Sequence, residues 1–97
     1  MFFTDSRCGA CDLTYPSLAD ASKLMPVLVI GKGDKAILSE KLKENGVVAT
    51  AVFDSLGQLL GRFDIAGLPS TLMIDETGTI QAAETGSRSV TLILEGR

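Results

Sequence analysis

The sequence predicts an α/β protein, a mixed β-sheet flanked by helices on both faces in the order β-α-β-α-β-β-α. Three observations predict it. Two short apolar runs, Met1-Phe2-Phe3-Thr4 and Val27-Leu28-Val29-Ile30, are each followed by a stretch of helical character, which is the mark of parallel strand–helix–strand units. Near the end, two strand-like segments flank Asp75-Glu76-Thr77-Gly78 and read as an antiparallel hairpin with a glycine turn. Finally, 97 residues with 45% hydrophobic content suffice for one core, so residues 1–97 are expected to form a single domain.

The elements follow in order. Residues 1–4 read as a buried strand and Asp5-Ser6-Arg7 as a polar turn. From Gly9 to about Met25, the spacing of Cys11, Tyr15, Leu18, Ser22 and Met25 places them on one helical face. Pro16 should kink that helix, because it lacks a backbone donor, and Pro26 should end it. Val27 to Ile30 is rich in β-branched residues and suits a strand covered on both faces. Gly31-Lys32-Gly33-Asp34 reads as a turn, with Asp34 capping a helix that runs to about Glu44 and stops at Asn45-Gly46. Val47 to Phe53 is a candidate short strand, and Asp54-Ser55-Leu56-Gly57 a turn. A short helical stretch then turns Leu59, Leu60 and Phe63 inward. Ile65 to Pro69 has no periodicity; after the hairpin, Ser87 or Ser89 is placed to cap a last helix carrying Val90, Ile93 and Leu94.

Composition removes whole classes of function. The net charge is −3 and no basic stripe appears, so a nucleic-acid partner is not expected. No apolar run reaches the length of about 18 residues that a membrane span needs. The chain has no His, which excludes Ser–His and Cys–His nucleophile systems and two-His zinc sites. Neither a cofactor box nor a metal-ligand cluster is evident, and Gly31-Lys32-Gly33 is better read as a turn than as a phosphate loop. Tyr15, Met25, Met73 and the four Phe residues are expected to line the core or a pocket. Met1-Phe2-Phe3 already reads as a strand, which leads us to expect a domain cut from a longer chain, whose upstream part would have room for a signal or a membrane anchor.

The chemistry lies in Cys8-Gly9-Ala10-Cys11, the chain's only two cysteines. They sit between a strand and the helix it feeds, the setting in which this spacing reads as a redox pair. A thiolate rather than a thiol attacks a disulfide, and unpaired N–H groups at a helix start favour the anion. In such settings a thiol that ordinarily titrates near ~8.5 falls to ~3.5–7.5. Cys8, at the mouth of the helix, is therefore the candidate attacking residue, and Cys11, one turn further in, the candidate resolving residue. Two blander readings stand beside this one. A structural zinc site would need about four ligands, and a purely structural disulfide would close too short a loop to stabilise much.

On these residues the sequence resembles the thioredoxin-like superfamily, more narrowly its TlpA/ResA/MauD-type branch. The matching stretches are Phe2-Phe3-Thr4 through Cys11, Pro16, Phe63 through Thr71, and Leu72 through Ile80. The resemblance implies a cis Leu68–Pro69 bond beside the redox pair. It implies that Leu68 and Pro69, with Gly9 and Ala10, contact an extended substrate segment. It also implies protein disulfide or dithiol substrates, a redox partner protein, and a place on the extracytoplasmic side of the membrane. Three features depart from the pattern. Phe2 stands where thioredoxin has a buried acid, Arg7 where Trp is common, and Gly9-Ala10 lacks the His of strong oxidants, which leans towards a reductant or isomerase. The strand and helix usual upstream in this branch are missing. Rival functions are a peroxidase of the peroxiredoxin kind and a non-catalytic interaction module.

Overall fold

The computed structural model describes residues 1–54 and 56–96. Five strands form one mixed sheet: β1 (Phe2–Asp5), β2 (Leu28–Lys32), β3 (Thr50–Phe53), β4 (Ser70–Ile74) and β5 (Ile80–Thr85), in spatial order β3-β2-β1-β4-β5. The helices are α1 (Gly9–Asp12), α2 (Tyr15–Leu24), α3 (Lys35–Glu44), α4 (Gln58–Arg62) and α5 (Ser89–Gly96). β1 pairs in parallel with β2, and β2 with β3, while β4 runs antiparallel to both β1 and β5. Parallel units first and a hairpin last thus match the expected class; the candidate strand ending at Phe53 and the short helical stretch after it form β3 and α4, two elements beyond the seven of the expected order.

Alternation along β1 sends Phe2 and Phe3 to opposite faces of the sheet. Phe2 and Val29 pack with Cys11, Tyr15, Leu18, Ala21, Leu42 and Val90, so α1, α2, α3 and α5 cover that face. Phe3, Ile30 and Leu72 pack on the other face with Leu59 and Leu60 of α4. Both β-α-β crossovers at the β3 end move the chain the same way across the sheet, and so place α2 and α3 on one side.

The first helix is not one kinked rod. Pro16 has no N–H to give the Asp12 carbonyl, and its ring would crowd that carbonyl. The chain therefore leaves the helix after Asp12 and restarts at Tyr15, with Pro16 in the first turn of α2, where no intrahelical donor is required. Thr14 fills the break: its N–H donates to the Cys11 carbonyl at 2.9 Å, and its hydroxyl lies 3.1 Å from both the Ala10 and Ser87 carbonyls. The restart keeps Cys11, Tyr15 and Leu18 buried, while Ser22 and Met25 are only partly so. α2 stops at Leu24, because Met25, preceding Pro26, is driven to extended backbone at φ −156°.

Other boundaries moved for identifiable reasons. β2 continues through Gly31 and Lys32 instead of turning at Gly31. A β-carbon on Gly31 would lie 2.5 Å from Leu38 Cδ1, so α3 presses directly on the strand there. The turn falls at Gly33, φ +93°. Asp34 caps α3 by accepting the Ile37 N–H at 3.0 Å, and Gly46, φ +71°, follows the helix end at Asn45. β3 begins only at Thr50, later than Val47. In the turn expected at 54–57, Asp54 accepts the Gln58 and Leu59 N–H groups at 3.0 and 2.8 Å, while Ser55 lies outside the described residues. Phe63 stays 39% exposed, although its ring tilts against Phe3 at 5.4 Å. Ser89 is the first residue of α5, and its hydroxyl meets Thr71 Oγ1 at 2.8 Å, so it ties the helix to β4 instead of capping it.

Candidate active site

Cys8 lies just past the C-terminal end of β1, the strand at the centre of the sheet, and is the N-cap of α1. Its extended backbone (φ −99°, ψ 108°) turns the chain so that Sγ accepts the Cys11 N–H at 3.1 Å. Cys8 and Cys11 are joined as a disulfide with Cα atoms 5.2 Å apart, inside the usual range for the bond. The two differ in access: Cys8 is half-buried, and Cys11 is fully buried in the cluster with Phe2 and Tyr15. Gly9 and Ala10 are exposed above them, and a β-carbon on Gly9 would meet nothing within 4 Å.

The Leu68–Pro69 peptide bond is cis, and Pro69 is buried. β4 pairs antiparallel to β1 with Phe3 opposite Ser70, so the loop ending at Pro69 and the loop carrying Cys8 emerge side by side from the same end of the sheet. Leu68 and Cys8 are both half-buried against the cluster that holds Cys11. Ser70 fastens the proline loop, its hydroxyl donating to the Gly67 carbonyl at 2.6 Å. The sequence-predicted residues Cys8, Gly9, Ala10, Cys11, Leu68 and Pro69 thus gather at one end of the sheet.

Sequence reasoning missed the second layer. Phe2, where an acid was sought, is wholly buried and edge-on to Tyr15 at 6.0 Å. Buried polar atoms come instead from Thr4, on the strand that leads to the pair, and Tyr15, in the cluster with Cys11; their hydroxyls are 2.8 Å apart. Burial raises the Tyr15 pKa above 10.0, against the Thr4 hydrogen bond, which lowers it. Ser6 was read simply as part of a polar turn, yet it is buried and bonded three ways. Its N–H donates to the Lys32 carbonyl at 3.1 Å, its Oγ accepts the Asp34 N–H at 3.0 Å, and its carbonyl accepts Lys41 Nζ at 3.0 Å. Lys41 also pairs with Asp12 Oδ1 at 2.7 Å. Asp5 accepts the Arg7 N–H at 3.0 Å, and the Arg7 side chain is exposed. A cavity of about 450 Å³ lies at the other end of the strands, between sheet, α2 and α5; Met25 and Met73 line it, and neither cysteine does.

A central strand, a Cys-x-x-Cys pair at the following helix start and a cis-proline loop beside it define the chain as a thioredoxin-fold domain. Comparison with known proteins agrees. The chain is 25% identical over 95 residues to sporulation thiol-disulfide oxidoreductase A of Bacillus subtilis (strain 168), a match covering 89% of this chain. It spans only 58% of that relative's length. The fold is shared with a putative thiol:disulfide interchange protein DsbE from Chlorobium tepidum, at TM-score 0.81 and 18% identity over 98% of this chain and 75% of that one. It is shared also with a secreted Mycobacterium tuberculosis disulfide oxidoreductase, at TM-score 0.75 and 19% identity over 87% of this chain and 65% of that one. No family model matches the chain.

Proposed function

We propose that this domain is a thiol–disulfide oxidoreductase acting on protein substrates, with Cys8 as the attacking residue and Cys11 as the resolving one. The observation that carries the reading is the asymmetry of the pair: Cys8 is half-buried and its Sγ accepts the Cys11 N–H at 3.1 Å, whereas Cys11 is fully buried. A donor already aimed at Sγ favours the thiolate when the pair is reduced.

In the reducing direction, the Cys8 thiolate attacks a substrate disulfide. A Cys8–substrate bond forms, and one substrate sulfur leaves as thiolate. Cys11, after losing its proton, attacks Cys8 Sγ, closes the Cys8–Cys11 disulfide and releases the second substrate thiolate. Two electrons pass from domain to substrate, and a redox partner protein returns them. Gly9 and Ala10, with the backbone of Leu68 beside Pro69, form the surface on which the substrate segment lies. The bare Gly9 position leaves room for another backbone to approach.

We place the protein on the extracytoplasmic side, in the maturation of proteins there, as a domain of a longer chain. The secreted structural neighbour and the partial coverage of the Bacillus relative support this. No helix among the described residues is long and apolar enough to cross a membrane.

The test is trapping. Cys11→Ser should accumulate a mixed disulfide with a disulfide-bearing protein, released by reductant, and Cys8→Ser should trap none. Equal trapping by both variants, or by neither, would overturn the assignment; rapid turnover of hydrogen peroxide would favour a peroxidase instead.

A further inference from the structure

We propose that Lys41, on α3, is a positioning residue for the redox pair, holding the cysteine segment from both ends and neutralising the carboxylate next to it. Resting on the oxidoreductase reading above, this adds a residue remote in sequence. Its ammonium reaches the Ser6 carbonyl, two residues before Cys8, at 3.0 Å, and Asp12 Oδ1, the residue after Cys11, at 2.7 Å. One side chain thereby brackets residues 6 to 12. Ser6 is bound to the same support again through the Lys32 carbonyl and the Asp34 N–H, so the β2–α3 junction and α3 act together as a cradle for the loop.

The effect on chemistry follows from charge. Charged groups adjoining the pair in the chain are Asp5 at the end of β1, Arg7 on the loop and Asp12 on α1, with Lys41 reaching in from α3; Tyr15 on α2 adds a neutral hydroxyl. With Lys41 in place, Asp12 is paired. Without it, an unpaired carboxylate would flank Cys11 and oppose the thiolate form, favouring the disulfide. Removing the Asp12 charge instead would leave an unpaired ammonium and favour the thiolate. The Lys41 and Asp12 side chains are 25% and 49% exposed, so the pair itself adds little to stability and its influence should weaken with salt.

The two substitutions therefore push the redox equilibrium in opposite directions, which a merely structural role does not do. The equilibrium to measure is the reaction of the dithiol with glutathione disulfide, which closes the Cys8–Cys11 bond and releases two molecules of glutathione thiol. Lys41→Met should raise its constant about threefold, or about 14 mV more reducing at ~29.6 mV per tenfold. Asp12→Asn should lower it by a similar factor, and Lys41→Arg should restore the wild-type value. Both shifts should shrink as salt is raised. If Lys41→Met fails to fold, Asp12→Asn and Lys41→Arg still decide the matter. Unchanged constants, or shifts of the same sign, in an otherwise active domain overturn the role of Lys41. A wild-type pair that does not exchange with glutathione at all instead overturns the oxidoreductase reading.

Discussion

Thr4 on β1 and Tyr15 on α2 place their hydroxyls 2.8 Å apart in the interior, and Tyr15 packs in the same core cluster as Cys11. Each hydroxyl is the other's partner in a place closed to water, so removing one strands the other. Thr4→Val and Tyr15→Phe should each lower stability by about 1–3 kcal/mol, the cost of a buried polar group left unpaired. The double variant should lose less than the sum by roughly 0.5–3 kcal/mol. Urea unfolding of the four proteins closes the cycle; strict additivity would contradict the pairing.

Burial of the same tyrosine sets an alkaline limit. Its folded pKa is raised above 10.0, mainly by desolvation, opposed by the Thr4 hydrogen bond and by Lys41, with Asp12 and Asp5 adding smaller raising effects. A group whose folded pKa exceeds its unfolded value stabilises below the unfolded pKa and loses that contribution as pH climbs through the folded one. Stability should therefore decline above about pH 10, and Tyr15→Phe should remove this component. As the chain has one Tyr, ultraviolet titration of the native protein reports this group alone.

At acid pH the sensitive point is the β4–β5 turn. The Asp75 carboxylate accepts the Thr77 hydroxyl at 2.6 Å, the Thr77 and Thr79 N–H groups at 2.9 and 3.0 Å, and the Gln81 amide at 2.5 Å. These bonds, the Thr77 hydroxyl foremost, lower its pKa from 3.8 to about 2. Because the folded value is the lower one, the stabilisation is present above pH 3.8 and disappears as pH falls through about 2. The Thr77 and Thr79 amide resonances should move together over that interval in an NMR titration, and Asp75→Asn should abolish the movement.

Gly31 tests how closely α3 is pressed on the sheet. Gly31→Ala would put a β-carbon 2.5 Å from Leu38 Cδ1, in a side chain that is itself fully buried. The buried Leu38 side chain, or the helix that carries it, has to shift, at a cost of about 1–3 kcal/mol typical of overpacking. In a Leu38→Ala background the same substitution should be nearly free, because the obstructing methyl is gone. Thermal or urea unfolding of the four combinations checks this; an equal loss in both backgrounds would contradict the contact.

What could be read from the chain was what neighbours in sequence decide. The Asp34 cap, the Asn45-Gly46 stop and the Gly78 turn depend on residues three or four apart, and each is where it was expected. The cysteines announced themselves through the strand before them and the helix after. What could not be read depends on distant partners. The gap between α1 and α2 is filled by the Ser87 carbonyl, 73 residues from Thr14. β2 runs on through Gly31 because Leu38 needs the space, and Ser89 is drawn to Thr71 on another strand. The grip of Lys41 on Ser6 spans 35 residues and left no local trace. The fold and the position of the cysteine pair at a helix start were thus legible, and the side chains that brace that segment were not.

β1 has hydrogen-bonded neighbours on both sides, with β2 along one edge and β4 along the other, while β3 and β5 form the rims of the sheet. The last amides to exchange with deuterated solvent should be those of Phe3 and Thr4, since every local opening that frays the rims leaves them paired. The sulfurs thus hang from the slowest-opening part of the molecule, and their spacing should survive warming that already loosens the outer strands.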